Sequence, residues 1–354
     1  MPVYQYIMWL FGKIMGTDQG IVDHISMLRC FTLLFDFAGI WYVYKWIDKK
    51  VAYFAILAVS ILNVGYVYDS IIWGQVDGIL SALVFISMYY GYKRNNLLST
   101  IFLVIAFNFK IQSVVIVPVW GLLFLGNIQR ERKTATILMP ILAAIAVQLL
   151  LVFPFTRGNY GLHQIYAIAT DSFGKFHSVS IKASNIWHWF VKGYLIYADD
   201  MKPWILGLSY KTVGLLLFFG TSFFALLPMM LLLYTQWKTG NERYKPGREM
   251  VWLTCAVLYL LFYFVNTEIH ERYCQPAFIF ITAYAFYTGR FASYAVFSIM
   301  YFLTLEVSMQ HFHLPNYETL IFDFKFLAVL TAFVLADLSW KLHNQYKAAL
   351  NSND

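Results

Sequence analysis

Residues 210–234 read YKTVGLLLFFGTSFFALLPMMLLLY, an apolar run in which Lys211 is the one charged residue. A helix of about 20 apolar residues crosses the hydrocarbon core of a bilayer, so this run predicts a transmembrane helix. Similar runs recur along the 354 residues, of which 60% are hydrophobic and 13% are charged. Soluble domains carry about 25% charged residues. The composition therefore excludes a soluble enzyme, a disordered chain and a coiled coil, and it favours an integral membrane protein.

The apolar runs predict an all-α, polytopic fold with eleven crossings in one membrane domain, 1–354. Residues 97–126 form a run too long for one crossing and interrupted at Asn108, Lys110 and Gln112, so we expect two short helices there. The net charge of +7 comes from basic residues clustered between the runs. Such clusters indicate cytoplasmic loops and a cytoplasmic C-terminus, rather than a nucleic-acid partner. The crossings are expected near 26–46, 52–68, 77–92, 97–109, 111–126, 134–155, 210–234, 250–267, 273–289, 291–309 and 320–340.

Three segments lie outside these runs. Residues 1–25 contain an apolar stretch too short to cross and are expected to be interfacial or re-entrant. Residues 156–209 form a large extracytoplasmic loop, rich in Trp and Tyr and expected to be partly helical. Residues 341–354 form a polar cytoplasmic tail. Under this topology the chain begins outside without a signal peptide, so we expect a further helix upstream.

The outer segment 68–78 places several polar side chains between two predicted helices. Asp69 and Asp77 supply carboxylates, Gln75 supplies an amide and Trp73 supplies an indole. Asp77 immediately precedes an apolar helix, which is typical of an N-cap. The alternative is one side of a sugar or phosphate site, in which Trp73 stacks on a sugar and Gln75 binds hydroxyl groups.

Two further segments carry ionisable groups at predicted outer turns. Lys110, with Gln112 nearby, either reaches the water at the membrane surface or contacts a phosphate. The segment 268–273 reads EIHERY, and anchoring at lipid headgroups does not require so many polar groups together. We therefore regard His270, Glu271, Arg272 and Tyr273 as candidate binding residues.

The long outer loop contains SIKASNIWHWF at 180–190, where Asn185 and Trp187 belong either to plain interfacial structure or to a lid over a site. Asp36 is a lone carboxylate in the middle of a predicted helix, and we expect a structural pair with Arg29 or Lys110. Neither the three cysteines nor the histidines show metal-ligand spacing, and no metal site is assigned.

At these motifs the chain resembles the membrane-embedded glycosyltransferases of the GT-C superfamily. The resemblance is strongest to bacterial relatives of the mannosyltransferase that adds the second mannose in GPI-anchor assembly. Those proteins carry a Trp-Gly-Gln-x-Asp stretch, a Lys-x-Gln turn, an Asn-x-Trp in a large outer loop and a His-Glu-Arg-Tyr turn followed by Pro. The matching residues here are Trp73, Gly74, Gln75, Asp77, Lys110, Gln112, Asn185, Trp187, His270, Glu271, Arg272, Tyr273 and Pro276.

The resemblance implies transfer of a mannose-like hexose from a polyprenyl-phosphate sugar to a glycan or lipid-linked acceptor, with inversion. The reaction is expected at the extracytoplasmic face of a bacterial plasma (inner) membrane, with membrane lipids, donor and acceptor as partners. Lys110 and Arg272 are the candidate phosphate contacts, and Asp69 and Asp77 the candidate acceptor contacts. No cofactor is expected, and the metal dependence stays open.

The family begins with an additional helix, and an acidic residue in the following outer loop acts as catalytic base. Residues 2–6, PVYQY, resemble the segment downstream of that loop, so we expect the base upstream of Met1, with Asp77 as a second choice. Two alternatives to the enzyme stay open. One is an inactive homologue that serves as an assembly or binding subunit. The other is a transporter or flippase, although one half of the chain shows no repeat in the other.

Overall fold

The computed structural model describes residues 2–156, 161, 163 and 177–351. Within these residues the fold is helical apart from one short antiparallel pair, β1 (Pro203–Ile205) and β2 (Leu208–Ser209). The α-helices are α1 (Pro2–Met15), α2 (Asp18–Asp23), α3 (Arg29–Trp46), α4 (Tyr53–Ile61), α5 (Val64–Val67), α6 (Asp77–Tyr92), α7 (Asn96–Phe109), α8 (Val117–Glu131), α9 (Ala135–Val152), α10 (Trp187–Phe190), α11 (Tyr210–Thr239), α12 (Arg248–Val265), α13 (Gln275–Thr288), α14 (Ala292–Met309) and α15 (Phe324–Asn351).

Parts of the three segments predicted outside the runs fall on residues that are not described. They are Met1 of the N-terminal segment, residues 157–160, 162 and 164–176 of the predicted outer loop, and residues 352–354 of the predicted tail. The described part of the N-terminal segment forms α1, which has 14 residues, and α2. The described part of the predicted tail continues α15 without a break to Asn351.

The described residues contain seven helices that are long and apolar enough to cross a membrane. The chain is thus an all-α integral membrane protein with several spanning helices. Helices occur at each of the eleven predicted positions, but α6, α7 and α13 have only 16, 14 and 14 residues. The count of eleven crossings therefore stays a prediction. The seven are Ile25–Trp46, Ile111–Glu131, Ala135–Thr156, Tyr210–Thr239, Glu242–Val265, Ala292–Met309 and Phe324–Asn351.

The contact pattern divides the chain into two compact units. Unit 1 consists of the described residues within Met1–Tyr42 and Gly74–Lys175, and unit 2 of those within Val43–Trp73 and Phe176–Asp354. In unit 1, α6 is buried along most of its length and packs against α7 and α8. Ser87 and Ser99 each donate a 2.8 Å hydrogen bond to the other's backbone carbonyl, which joins α6 to α7. Small residues that bring two backbones close together are typical of helix pairs in membranes.

The exposed apolar surface of α9 supports the conclusion that the chain is a membrane protein. In an apolar stretch of 18 residues within Ala135–Thr156, only 11% of the residues are buried inside the protein. Leu149 and Leu150, for example, are 63% and 74% exposed. An apolar surface of this extent is costly in water, whereas lipid chains accommodate it.

The predicted interruption at Lys110 is confirmed. The helix α7 ends at Phe109, Lys110 is extended with φ −154° and ψ 130°, and a 3-10 segment, Ile111–Ile116, leads into α8. The extended backbone places the Lys110 side chain at the end of a helix, where it can be held by a specific partner.

The predicted helix 52–68 is broken, which is a difference from the sequence analysis. Asn63 Oδ1 accepts hydrogen bonds from the backbone N–H groups of Gly65 and Tyr66 at 3.0 and 3.3 Å, and this capping starts a new helix. The two halves, Tyr53–Ile61 and Val64–Trp73, meet at 64°. The second half includes a π-helical turn, Tyr68–Trp73, so the first part of the predicted outer segment 68–78 is helical.

The core of unit 2 is built around α12. In an apolar stretch of 18 residues within Glu242–Val265, 83% of the residues are buried. The helix α12 packs against α11, α13 and α15. Its C-terminal end leads directly into the 266–274 turn, which precedes α13. The turn is therefore mounted on the most buried helix among the seven spans, and this positions the candidate site in unit 2.

Candidate functional site

The 266–274 turn is held in place by backbone hydrogen bonds from the segment 178–181. Glu268 N–H donates to the Ser178 carbonyl at 3.0 Å, and Ile181 N–H donates to the Ile269 carbonyl at 2.9 Å. Glu268 has a positive φ of 59°, which is uncommon for a residue with a side chain. Such a backbone persists only where the surroundings determine it, and here the paired segment does so.

Arg272 lies between a carboxylate and aromatic rings. Its Nη1 donates to Glu271 Oε1 at 3.0 Å, while its guanidinium lies 5.1 Å from the centre of the Trp73 ring and 5.8 Å from that of Tyr273. Guanidinium groups are attracted to aromatic faces, and a carboxylate fixes their planar orientation. The structure thus joins two predicted motifs, the Trp-Gly-Gln stretch and the His-Glu-Arg-Tyr turn, through Trp73 and Arg272 within unit 2.

The Glu271 carboxylate lies between Arg272, from which it accepts a hydrogen bond, and His270. The Glu271 side chain is 6% exposed, and its Oε2 lies 3.8 Å from His270 Nδ1. Burial by itself raises the pKa of the Glu271 carboxyl, but the neighbouring His270 and the Arg272 charge outweigh burial, so the pKa lies below its ordinary value. Glu271 is therefore ionised at neutral pH, and it serves to orient Arg272 rather than to take up a proton.

In unit 1 the two principal candidates bond to each other. Lys110 Nζ forms an ion pair with the carboxylate of Asp77, which is completely buried. Asp77 is the first residue of α6, and the N-cap is Val76. The N-cap interpretation of Asp77 was therefore wrong. The carboxylate instead receives the ammonium group that extends from the interruption between α7 and α8.

The glutamines of the predicted site also belong to unit 1. Gln112 is 5% exposed, and its two side-chain polar atoms have no hydrogen-bond partner among the described residues. A buried amide of this kind is costly unless it binds water or a ligand, which makes Gln112 the clearest polar-ligand candidate in unit 1. Gln75 is half-buried.

Asp36 lies close to the start of α6. Its Oδ1 is in contact with the position that a Cβ on Gly78 would occupy, and the side chain is 2% exposed. In the neighbouring loop, Gly74 has φ 76° and leaves room for Arg29, whose Nε lies 2.7 Å from a Cβ built on that glycine. Glycine is required at both positions, because a larger residue would displace these charged side chains.

Asn185 and Trp187 of unit 2 have different surroundings. Trp187 is buried, and its indole N–H donates to the carbonyls of Val265 and Asn266, both at 3.1 Å. Trp187 therefore ties the loop to the end of α12. Asn185 is completely buried, and both atoms of its amide have no hydrogen-bond partner among the described residues. Asn185 is thus the residue of this pair with polar atoms available to a ligand or water.

The remaining predicted residues of unit 2 are also placed. Asp69 is completely buried in the π-helical turn, and Tyr273 packs with the His270 ring at 5.0 Å between centroids. The predicted residues therefore divide between the units: Gln75, Asp77, Lys110 and Gln112 in unit 1, and Asp69, Trp73, Asn185, Trp187, His270, Glu271, Arg272 and Tyr273 in unit 2.

The sequence analysis missed Glu306, a completely buried carboxylate in α14. Its Oε2 accepts a hydrogen bond from the Tyr68 hydroxyl at 2.6 Å, and its Oε1 accepts from the Phe312 N–H at 3.1 Å and from the Tyr317 hydroxyl. A lone carboxylate within the apolar run 291–309 was the available signal, the same one that drew attention to Asp36.

The comparisons with known proteins add no relatives. No family model matches the sequence, and the search of curated proteins also finds no match.

Proposed function

We propose that the chain is a membrane glycosyltransferase of the GT-C type. It would transfer a mannose-like hexose from a polyprenyl-phosphate sugar to a glycan or lipid-linked acceptor. The observation that supports this most strongly is the contact of Arg272 with Trp73. That contact joins two motifs that lie far apart in the sequence, and both belong to the resemblance.

The chemistry of the Arg272 position suits a phosphate ligand. Guanidinium groups bind phosphate through paired N–H donors, and a fixed guanidinium loses less conformational freedom on binding than a mobile one. Glu271 and Trp73 restrict Arg272 in this way. The Trp73 ring beside the cation also suits a carbohydrate, because an indole is a large apolar surface with one polar N–H group.

The proposed reaction is a single displacement at the anomeric carbon. A carboxylate takes the proton of the acceptor hydroxyl, whose oxygen forms the new bond to that carbon with inversion. The bond between the carbon and the phosphate oxygen breaks, and its electron pair stays on the polyprenyl phosphate. Arg272, with His270 beside it, would stabilise the negative charge of the departing phosphate. In unit 1, Lys110 is the candidate phosphate contact. Phosphate is a good leaving group, so no general acid is required.

The proposed membrane topology of the chain follows from the distribution of its basic residues. We place eleven crossings in a bacterial plasma (inner) membrane, with the C-terminus in the cytoplasm and the reaction at the extracytoplasmic face.

A second candidate is an inactive homologue that binds lipid-linked sugars without turning them over. The ion pair between Asp77 and Lys110 favours it, because the Asp77 carboxylate is already engaged by the ammonium group. Transfer of the sugar would support the enzyme, whereas donor binding without transfer would support the inactive homologue. An absence of donor binding would contradict both.

The test uses the full chain in lipid nanodiscs with a radiolabelled short-chain polyprenyl-phosphate mannose. Arg272→Ala should weaken donor binding by about tenfold or more, since a hydrogen bond to a charged group contributes about 1.5–3 kcal/mol. Arg248→Ala is the matched control, because Arg248 also pairs with a carboxylate, Asp48, and lies 5.1 Å from an aromatic ring, that of Tyr287. Equal donor affinity in wild type and Arg272→Ala would refute the phosphate role, and no binding by wild type would refute the proposed function.

A further inference from the structure

Three potential metal ligands converge in unit 2 from separate parts of the sequence. His177, Asp200 and Glu268 each place a ligand atom within 4.8 Å of the other two. The sequence did not single out His177 or Asp200, and Glu268 was noted only as the first residue of the segment 268–273, because no short spacing connects the three. An imidazole nitrogen with two carboxylates is a donor set typical of zinc and related divalent ions.

The buried member of the cluster is Asp200, whose side chain is 0% exposed. Its Oδ2 accepts a hydrogen bond from the Thr267 hydroxyl at 2.8 Å. Its Oδ1 has no hydrogen-bond partner among the described residues, and the His177 Nδ1 lies 3.8 Å away from it. A buried carboxylate oxygen without a hydrogen bond is costly, and a cation between Oδ1 and His177 would remove that cost.

The backbone around the cluster is ordered by hydrogen bonds that do not involve the three side chains. Glu268 N–H donates to the Ser178 carbonyl at 3.0 Å, and Val179 N–H donates to the Ala198 carbonyl at 2.8 Å. The Lys211 N–H donates to the Asp200 carbonyl at 3.0 Å. The three ligand-bearing segments are thus connected to one another, and a cation would meet ligands that are already in place.

Lys211 is the present counterion of the cluster. Its Nζ lies 2.5 Å from Glu268 Oε1, and its side chain is 31% exposed. One ammonium group against two carboxylates leaves a net negative charge, which still attracts a cation. A lysine side chain is long and flexible, so Lys211 can turn toward the water when a metal ion takes its place.

We propose that His177, Asp200 and Glu268 form a binding site for one divalent metal ion, with zinc as the best fit. Magnesium and calcium fit less well, because they prefer oxygen ligands alone. The ion would connect His177 and Asp200 to Glu268, which lies two residues before the His270 of the His-Glu-Arg-Tyr turn. The proposal does not depend on the proposed transferase activity.

The test measures zinc binding to the full-length chain after removal of any affinity tag and of metal by chelation. Zinc is titrated against a chromophoric competitor, and the retained metal is measured by mass spectrometry. Wild type should retain about one zinc per chain, and His177→Ala or Asp200→Asn should lower the affinity by about tenfold or more. Lys211→Met should raise the affinity, because it removes a competing cation.

Matched controls are available for both ligand types. Asp199→Asn changes the adjacent carboxylate, and His343→Ala changes an exposed histidine of α15, so neither should alter zinc affinity. His177 is 63% exposed, so His177→Ala tests the site even if Asp200→Asn fails to fold. The proposal is overturned if wild type retains no zinc, if His177→Ala binds as tightly as wild type, or if magnesium or calcium binds more tightly than zinc. Donor binding is measured separately, so its failure does not affect this result.

Discussion

Lys110 and Asp77 form an ion pair in which the carboxylate is completely buried. The pair joins the interruption between α7 and α8 to the first turn of α6. The positive end of the α6 dipole adds to the attraction exerted by the ammonium group. One contact therefore gives a structural reason both for a lysine in an apolar run and for an aspartate at a helix start.

Removal of one member of this pair should destabilise the protein strongly. Lys110→Met leaves the buried Asp77 carboxylate without its ammonium, which typically costs about 3–5 kcal/mol. The double variant Lys110→Met, Asp77→Asn should recover part of this loss, because neither member of the pair then carries a charge. The measurement is the midpoint of thermal unfolding in detergent, followed by tryptophan fluorescence.

The control for this prediction is Asp48→Asn. Asp48 pairs with Arg248, but its side chain is 49% exposed, so the expected cost is below about 1 kcal/mol. A double variant as unstable as Lys110→Met alone would contradict the role given to the uncompensated charge.

Gly78→Ala should disturb the start of α6. The added Cβ would collide with Asp36 Oδ1 and would lie 3.2 Å from Thr32 Cγ2. Overpacking of this kind costs about 1–3 kcal/mol. Gly121→Ala is the matched control in α8, since nothing lies within 4 Å of its Cβ. There the substitution should be neutral or stabilising by up to about 1 kcal/mol. Equal unfolding midpoints for the two variants would show that the contact with Asp36 yields at little cost.

Glu306→Leu should destabilise unit 2, because it removes the acceptor of two tyrosine hydroxyls and one backbone N–H. Of these donors Tyr68 is completely buried, and a buried hydroxyl left without an acceptor costs about 1–3 kcal/mol. Tyr68→Phe, combined with Glu306→Leu, should be less damaging than the sum of the single changes, because the two groups share one hydrogen bond. Glu318→Leu, at an exposed position, is the control. Additive effects in this cycle, measured as unfolding midpoints, would contradict the coupling.

His188 should make stability fall in mild acid. Burial lowers the pKa of its imidazole to about 4, and the ring stacks on Phe324 at 4.8 Å. The unfolded chain binds a proton near pH 6.5, whereas the folded chain does not do so until about pH 4. The free energy of unfolding therefore decreases as the pH falls between these values, by about 3–4 kcal/mol at most.

The measurement is the unfolding midpoint as a function of pH. His188→Gln keeps an N–H donor for the Ala183 carbonyl, which lies 2.9 Å from the histidine Nε2, and it should show a shallower decline below pH 6.5. His343→Gln should follow the wild-type curve. A His188→Gln curve parallel to wild type would refute the assigned pKa.

Sequence patterns were sufficient where the determining interaction is local. The run 210–234 predicted a helix that the structure shows at Tyr210–Thr239, and the polar interruption at Lys110 predicted the break after α7. They were insufficient at Asn63, where an apolar run gave no sign that one amide would cap a new helix. They were also insufficient at Asp77, whose carboxylate forms an ion pair with Lys110, a lysine distant in the sequence.

The apolar runs of the sequence were sufficient to predict an all-α membrane protein, because their length and apolarity correspond to the thickness and chemistry of a bilayer. It also indicated which polar residues needed an explanation, since an ionisable group is costly beside lipid. Their partners became apparent from the folded chain: Lys110 contacts Asp77, and Arg272 contacts Glu271 and Trp73. The folded chain also revealed the cluster of His177, Asp200 and Glu268, which no sequence pattern had indicated. Apart from the contact of Arg272 with its neighbour Glu271, these contacts join residues that are far apart in the chain, and their geometry depends on how the helices pack rather than on any local spacing.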